Sequence, residues 1–134
     1  MHVQPYLFFD GRCEEALDFY KTAIGARVEM LMRWKDSPDK SMCTPDNAEK
    51  VMHAQFKVGD TTVMGSDGRN TGNPNFQGFA LTINGKDEAE VDKLFNALGE
   101  GGQVTMPLAK TFFSSRFGML ADKFGVNWML LVAK

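Results

Sequence analysis

The sequence predicts an α+β fold in which two βαβββ modules, residues 1–68 and 76–134, form a curved mixed sheet around a cleft. The first observation is that the order strand, helix, strand, strand, strand occurs twice along the chain. The second is that both helical patterns end at a glycine, Gly25 and Gly99. Residues 69–75 are rich in glycine and asparagine and are the predicted linker. We interpret all 134 residues as a single domain.

The first module opens with an aromatic strand over residues 5–9, followed by a helix whose apolar residues recur at helical spacing up to Gly25. Asp10 is placed to accept hydrogen bonds from the first amides of this helix. The rest of the module reads as a strand, a long polar loop and a β-hairpin. These segments cover residues 27–34, 35–50, 51–58 and 61–64, with the hairpin turn at Gly59 and Asp60.

The second module repeats this order, and its helix carries a clear start signal. Asp87 and Glu90 have the spacing of a capping box, with Asp in place of Ser or Thr. Apolar residues then recur at helical spacing until Leu98, directly before Gly99. The strands of this module are predicted over residues 76–83, 103–109, 116–122 and 126–132.

Composition excludes several classes of function. The net charge of −2 provides no basic footprint for nucleic acid, and no apolar run reaches the roughly 18 residues of a membrane span. The N-terminus lacks the pattern of a signal peptide. Cys13 and Cys43 form no paired framework, which favours free thiols in a cytoplasmic protein. Alternatively, the position of Cys13 in the first helical turn could lower the pKa of its thiol.

The repeat itself suggests a pocket. A βαβββ module covers one face of its sheet with its helix and leaves the other face open. Two open faces can close around a shared cleft, which is a physical route to a small-molecule site. The nine Met and eleven Phe residues either fill the core or line a pocket that adapts to its contents.

Short motifs in both halves carry a resemblance to a known superfamily. They are Pro5-Tyr6-Leu7, Ala16-Leu17-Asp18-Phe19-Tyr20, His53-Ala54, Met64-Gly65-Ser66-Asp67, Arg116-Phe117-Gly118, Asp122-Lys123-Phe124-Gly125-Val126 and Trp128. On these residues, which span essentially the whole chain, the sequence resembles the vicinal oxygen chelate superfamily. That superfamily includes glyoxalase I, extradiol dioxygenases and the bleomycin and fosfomycin resistance proteins. The closer resemblance is to its PhnB-like branch.

Metal-dependent members of this superfamily hold a divalent ion with His, Glu or Gln ligands. The resemblance places Pro5, Met64, Gly78 and Met129 at the corresponding positions. None of these offers the imidazole or carboxylate that divalent Fe, Mn, Ni or Zn requires. We therefore expect no metal ligand set. No glycine-rich turn with a following acidic residue indicates a nucleotide cofactor either, so no cofactor is predicted.

His53 is the candidate catalytic residue. It alternates with Gln55 and Lys57 on the polar face of its strand. If that face looks into the cleft, His53 would accept a proton or bind a ligand by a hydrogen bond. The alternative is an ordinary half-exposed histidine on a polar strand face.

A ligand pocket is predicted from the superposition of the two halves and from strand alternation. Apolar residues would form its lining, small polar residues would add hydrogen-bonding groups, and Trp34 would act as an aromatic lid. Arg116 either orients an anionic ligand or is a surface residue. The predicted pocket residues are Leu7, Phe9, Trp34, His53, Gln55, Thr62, Met64, Ser66, Thr82, Arg116, Asn127 and Met129.

Two functions remain open from sequence. The first is a metal-independent protein that binds an apolar or aromatic small molecule and acts as a homodimer. The second is an enzyme of the lyase, isomerase or dioxygenase type that uses His53 or an unconventional metal site. A third reading, an interaction module, rests only on the loop at 35–50 and on Phe112 and Phe113.

Overall fold

The computed structural model describes residues 1–68 and 73–133. It divides the chain into two compact units, Met1–Pro74 and Asn75–Lys134, each with its own helix and sheet. Of the predicted linker, residues 69–72 lie outside the described ranges. The shared cleft stays a prediction.

The first unit contains one helix and a four-stranded sheet. Its elements are β1 (Tyr6–Phe8), α1 (Cys13–Ile24), β2 (Arg27–Arg33), β3 (Val51–Val58) and β4 (Thr61–Ser66). The strands lie in the order β1-β4-β3-β2, with β1 parallel to β4 and the other pairs antiparallel. The polar loop between β2 and β3 begins with a short 3-10 helix at Trp34–Asp36.

The second unit repeats this architecture. Its elements are β5 (Leu81–Gly85), α2 (Glu88–Gly99), β6 (Gln103–Ala109), β7 (Phe117–Ala121) and β8 (Asn127–Val132). The strand order β5-β8-β7-β6 is that of the first sheet, with β5 parallel to β8 and the other pairs antiparallel. The predicted α+β fold of two βαβββ modules is therefore confirmed.

Helix α1 covers one face of the first sheet. Its buried face includes Leu17 and Tyr20. The centroid of the Tyr20 ring lies 6.0 Å from that of Phe56 on β3 and 6.2 Å from that of Phe9, which follows β1. Burying each large apolar side chain of this kind contributes roughly 1.5–3 kcal/mol before entropy is counted.

Helix α2 covers the second sheet through Val91, Phe95 and Leu98, all buried. The helix approaches β7 closely at Gly118, where an added Cβ would lie 2.8 Å from the Phe95 ring. On β8, the buried Trp128 donates its indole N–H to Asp122 Oδ2 at 2.9 Å. That bond satisfies the polar atom of the largest core side chain.

The two helices begin in different ways. At α2, Asp87 Oδ1 accepts from the Glu90 amide (2.8 Å), which confirms one bond of the capping box, whereas Glu90 Oε1 accepts from the amide of Lys86 (3.0 Å) instead of that of Asp87. At α1, the Cys13 amide donates to Asp67 Oδ1 at 2.7 Å, whereas Asp10 lies in the preceding turn with a φ of 52°. Asp67 therefore reaches the start of the helix from the end of β4, and the capping role of Asp10 stays a prediction.

The glycine signals are largely confirmed. Gly25 caps α1 with a φ of 68°, and Gly59 takes the positive φ of the β3–β4 turn. Gly99 is the last residue of α2, and the positive φ comes two residues later, at Gly101. Within residues 1–68 and 73–133, no helix is long and apolar enough to cross a bilayer.

The first strand of the second unit begins later than predicted. The run 76–83 was expected to be extended, but β5 covers Leu81–Gly85. Gly78 has a φ of 82°, which interrupts the extended backbone before Leu81. The carbonyl of Phe76 accepts from the side-chain amide of Asn127 at 3.1 Å, so this segment has a hydrogen bond outside the ladder.

Candidate functional site

Strand register decides which side chains share the face of the first sheet that α1 leaves uncovered. Gln55 points away from α1, because its neighbour Phe56 contacts Tyr20. Direct pairing joins Gln55 to Met30 on one side and to Met64 on the other. We call this surface the helix-free face of the first sheet. Pairing and alternation place on it Tyr6, Phe8, Met30, Met32, His53, Gln55, Lys57, Thr62, Met64 and Ser66.

Tyr6 and His53 form a hydrogen-bonded pair on this face. The Tyr6 hydroxyl oxygen lies 3.1 Å from His53 Nδ1, and the two rings stack with centroids 5.5 Å apart. The Tyr6 ring also lies 4.9 Å from that of Phe8. If the phenol donates, His53 carries its proton on Nε2 and can donate it to a ligand. In the other tautomer, Nε2 is an acceptor.

The second sheet has an equivalent surface opposite α2. Gly85 faces the helix, because a Cβ added there would meet Val91. Thr82 pairs with Met129, and Met129 with Met119, on the opposite side of the sheet. We call this the helix-free face of the second sheet. It carries Thr82, Asn84, Met106, Phe117, Met119, Asn127, Met129 and Leu131.

The methionines are absent from the core. All nine fall within the described ranges, and none of them is buried. Six lie on the two helix-free faces, three on each. The structure therefore does not support core filling as the reason for the high methionine content.

Two predicted pocket residues lie on the other side of their strand. Leu7 and Phe9 are fully buried, and Phe9 packs against Tyr20 of α1. Alternation puts Tyr6 and Phe8 on the helix-free face instead. We therefore leave Leu7 and Phe9 out of the proposed site and add Tyr6, which sequence reasoning missed. Alternation along β1 indicates that Tyr6 and Phe8 share one face. It shows which face is turned away from the helix only once the direction of one side chain is known.

Arg116 and Trp34 lie outside the strands. The Arg116 guanidinium donates to both carboxylate oxygens of Asp92 on α2, at 2.9 and 3.0 Å, and lies 3.9 Å from Glu88. The Arg116 guanidinium is therefore paired with carboxylates of α2, which agrees with the interpretation of Arg116 as a surface residue. Trp34 begins the 3-10 helix, half-buried, with its amide donating to the Lys50 carbonyl. Its role as a lid stays a prediction.

A charged groove of about 570 Å³ lies beside the start of α1. Arg33 donates to both oxygens of Glu14, at 2.6 and 3.1 Å, which lowers the pKa of the Glu14 carboxyl. No predicted pocket residue lines this groove. Its lining is Gly11, Glu14, Glu15, Asp18, Arg33, Glu49, Lys50, Val51 and Asp67.

Cys13 is a structural thiol. Its side chain is fully buried in the core of the first unit. Burial, aided by the nearby charge of Asp67, raises the pKa of the thiol far above its ordinary value. The position therefore suppresses the reactive thiolate, in contrast to the lowered pKa that a helix start alone can produce.

The residues present do not fit the divalent metal that the superfamily implies. At the corresponding positions, Met64 and Met129 offer neutral thioethers on separate sheets, and Pro5 and Gly78 offer no ligand atom. Hard or borderline divalent ions prefer oxygen and imidazole donors. Among residues 1–68 and 73–133, no group of three or more His, Cys, Asp or Glu could hold a metal ion.

Comparison with known proteins identifies the family. Residues 1–131 match the family described as 3-demethylubiquinone-9 3-methyltransferase. The protein PA1353 from Pseudomonas aeruginosa is 38% identical, with a TM-score of 0.86 over 98% of this chain and 97% of its own. A putative 3-demethylubiquinone-9 3-methyltransferase, PhnB protein, from Bacillus cereus is 30% identical, with a TM-score of 0.83 over 99% of this chain and all of its own.

A curated relative covers the same length. The protein YjdN of Escherichia coli is 29% identical over 142 aligned positions, with 100% of this chain and 97% of YjdN covered. The fold alone is shared with the fosfomycin resistance protein FosX from Mesorhizobium loti, at 14% identity and a TM-score of 0.61.

The fold is shared with FosX, as the resemblance to the vicinal oxygen chelate superfamily implies. The chain itself belongs to the PhnB-like family that is described as 3-demethylubiquinone-9 3-methyltransferase.

Proposed function

We propose that this protein binds an apolar or aromatic small molecule on the helix-free face of the first sheet, without a divalent metal ion. The observation that carries the proposal is the hydrogen bond between Tyr6 and His53, which sets a polar group within an aromatic and methionine-rich surface. Ligand sites commonly combine an apolar lining with a few oriented polar groups.

The chemistry of this face suits a planar ligand. The stacked rings of Tyr6 and His53, with Phe8 beside Tyr6, offer aromatic surface. Met30 and Met64 flank Gln55 and can adapt to the outline of a ligand. The second ring nitrogen of His53 and the Gln55 amide provide hydrogen-bonding groups.

The pocket residues predicted on the second sheet support the same proposal separately. Thr82, Asn127 and Met129 share its helix-free face by strand pairing and alternation. Their contact with the ligand held by Tyr6 and His53 stays a prediction.

A screen by thermal shift and equilibrium binding tests the proposal. The screen contains a panel of small aromatic compounds and, one at a time, Mn²⁺, Fe²⁺, Ni²⁺ and Zn²⁺. It also contains S-adenosylmethionine, because the family is described as a methyltransferase. We expect an aromatic compound to stabilise the protein and His53→Ala to abolish that shift. The matched control, His2→Ala at the exposed terminus, should retain it. Stabilisation by a divalent ion at stoichiometric amounts, with none by organic compounds, would contradict the proposal.

The second candidate is an enzyme of the lyase, isomerase or dioxygenase type. The Tyr6–His53 pair favours it, because a phenol hydrogen-bonded to an imidazole can relay a proton to or from a bound molecule. NMR of an identified ligand incubated with the protein would reveal turnover. Conversion that is lost in His53→Gln, while binding persists, would support the enzyme over the binding protein.

We also propose a cytoplasmic homodimer. The two unpaired cysteines suit a reducing compartment. Phe112 is 94% exposed and packs edge-on against Phe113, an unusual placement for an isolated subunit. Light scattering should give twice the chain mass and Phe112→Ser should lower it, whereas a monomer at all concentrations would contradict the dimer.

A further inference from the structure

Three methionines lie side by side across the second sheet. Met106 on β6 pairs directly with Met119 on β7, and Met119 pairs directly with Met129 on β8. Directly paired residues project from the same face with Cβ atoms about 5 Å apart. We propose that their three thioether sulfurs form a binding site for a soft monovalent metal ion, Cu(I).

The row has a geometry that can converge on one ion. Met119 is central, with one methionine on each neighbouring strand. Methionine is unbranched and has three rotatable side-chain bonds, so the outer two sulfurs can lean towards the middle one. Met119 and Met129 lie in a regular stretch of the ladder, whereas register irregularities flank Met106 on β6.

The row is also reachable. Met106 is 46% exposed, and Met119 and Met129 are half-buried rather than enclosed. Met106 belongs to an edge strand that has a single neighbour in its sheet. Methionines that only fill space are expected in the core, where this chain places none.

Donor chemistry selects the ion. Thioethers are soft and uncharged, and they suit Cu(I) rather than Mn²⁺, Ni²⁺ or Zn²⁺. A thioether has no proton to lose, so binding should not change with pH, unlike binding at a cysteine or histidine site. Copper remains Cu(I) throughout, and no bond other than the metal–sulfur bonds forms.

This inference does not rest on the proposed function, and the two share only Met129, which is also a predicted pocket residue. The three methionines lie on the second sheet, whereas Tyr6 and His53 lie on the first. Neither Met106 nor Met119 is a predicted pocket residue, so replacing either should leave binding of an aromatic ligand at Tyr6 and His53 unchanged, and His53→Ala should leave Cu(I) binding unchanged.

Anaerobic titration of the full-length Cys43→Ser protein with Cu(I), in competition with a chromogenic Cu(I) chelator, tests the site without the half-exposed thiol. We expect one equivalent to bind with the same affinity at about pH 6 and about pH 8, a range over which a histidine ligand would change its protonation. Met119→Leu and Met106→Leu should each weaken binding at least about 10-fold, since even outer-shell changes at metal sites have effects of that size.

Two control variants locate the ion. Met42→Leu removes an exposed thioether in a loop. Met64→Leu removes the methionine of the first sheet that is equivalent to Met129, since Met64 pairs with a residue of β1 and Met129 pairs with a residue of β5. Both should bind Cu(I) as the Cys43→Ser protein does. The proposal is overturned if Cu(I) does not bind, if either control weakens binding as much as Met119→Leu, or if Zn²⁺ competes equally. A circular dichroism spectrum of each variant checks that the fold is kept.

Discussion

The Tyr6 hydroxyl on β1 lies 3.1 Å from Nδ1 of His53 on β3, although β4 separates these two strands in the sheet. The Tyr6 side chain therefore crosses β4 on the helix-free face. This contact ties an edge strand of only three residues to the middle of the sheet. It also fixes the ring of the one histidine that lies within a strand.

A double-mutant cycle should detect this bond. Tyr6→Phe removes only the hydroxyl, and we expect it to lower the free energy of unfolding by about 0.5–1.5 kcal/mol. His53→Ala should make the loss of the hydroxyl nearly neutral, giving a coupling energy of about 1 kcal/mol. Urea unfolding of the four proteins measures the cycle. Additive effects of the two substitutions would show that the pair contributes no interaction.

Asp67 should be a strong determinant of stability. Its buried carboxylate accepts from the backbone amides of Cys13 (2.7 Å) and Val51 (2.6 Å), which joins the start of α1 to the start of β3. Asp67→Ala leaves both amides without this acceptor, and we expect a loss of roughly 3 kcal/mol or more in urea unfolding. The control Asp60→Ala, in an exposed hairpin turn, should stay within about 0.5 kcal/mol. Equal effects at the two positions would contradict the bridging role.

Gly118 should tolerate no side chain. An added Cβ would lie 2.8 Å from the Phe95 ring, 2.9 Å from Leu108 and 3.0 Å from the Met106 carbonyl. We expect Gly118→Ala to lower the free energy of unfolding by about 1–3 kcal/mol through overpacking. Gly99→Ala is the matched control, because its nearest neighbour is at 3.7 Å and alanine favours the helix. A neutral Gly118→Ala would mean that α2 can move off the sheet.

Acid should weaken the second unit through Asp92. The hydrogen bonds from Arg116 lower the pKa of the Asp92 carboxyl below its ordinary value of 3.8. A lowered pKa in the folded state stabilises the protein above pH 3.8, and this contribution is lost as the pH falls further through the folded pKa.

Melting temperatures measured across that acidic window check the effect. Asp92→Asn should make the melting temperature fall less steeply with decreasing pH. The effect should be small, because the Asp92–Arg116 ion pair is exposed and screened by solvent. Asp46→Asn, in the exposed loop, should follow the unaltered protein. If the melting temperature of Asp92→Asn fell more steeply with decreasing pH than that of the unaltered protein, Asp92 would not be the source of the acid sensitivity.

Local signals in the sequence predicted most of the fold. The spacing of Leu17 and Tyr20 and the capping pair Asp87 and Glu90 act over a few residues, so they are readable without tertiary structure. Asp67 was not predictable as a cap, because it lies far from Cys13 in sequence and meets it only once β4 is placed.

The site was less predictable, because a strand face depends on register. Alternation along a single strand was enough to place His53 and Gln55 on one face. Thr82 and Met129 lie on different strands, so placing them on one face also requires the pairing of those strands. The alternation along β1 did not say which of Tyr6 and Leu7 faces α1, and the structure decides this through Phe9 and Tyr20. Arg116 was ambiguous because its partner Asp92 is on another element.

NMR titration of the ¹⁵N-labelled protein with the strongest aromatic compound from the screen tests the central claim most directly. We predict saturable shifts centred on the amides of Tyr6, His53 and Gln55, without any added divalent metal. Shifts confined to the groove beside Glu14 and Arg33, or shifts that require Zn²⁺, Ni²⁺, Mn²⁺ or Fe²⁺, would contradict a metal-independent site on the helix-free face of the first sheet.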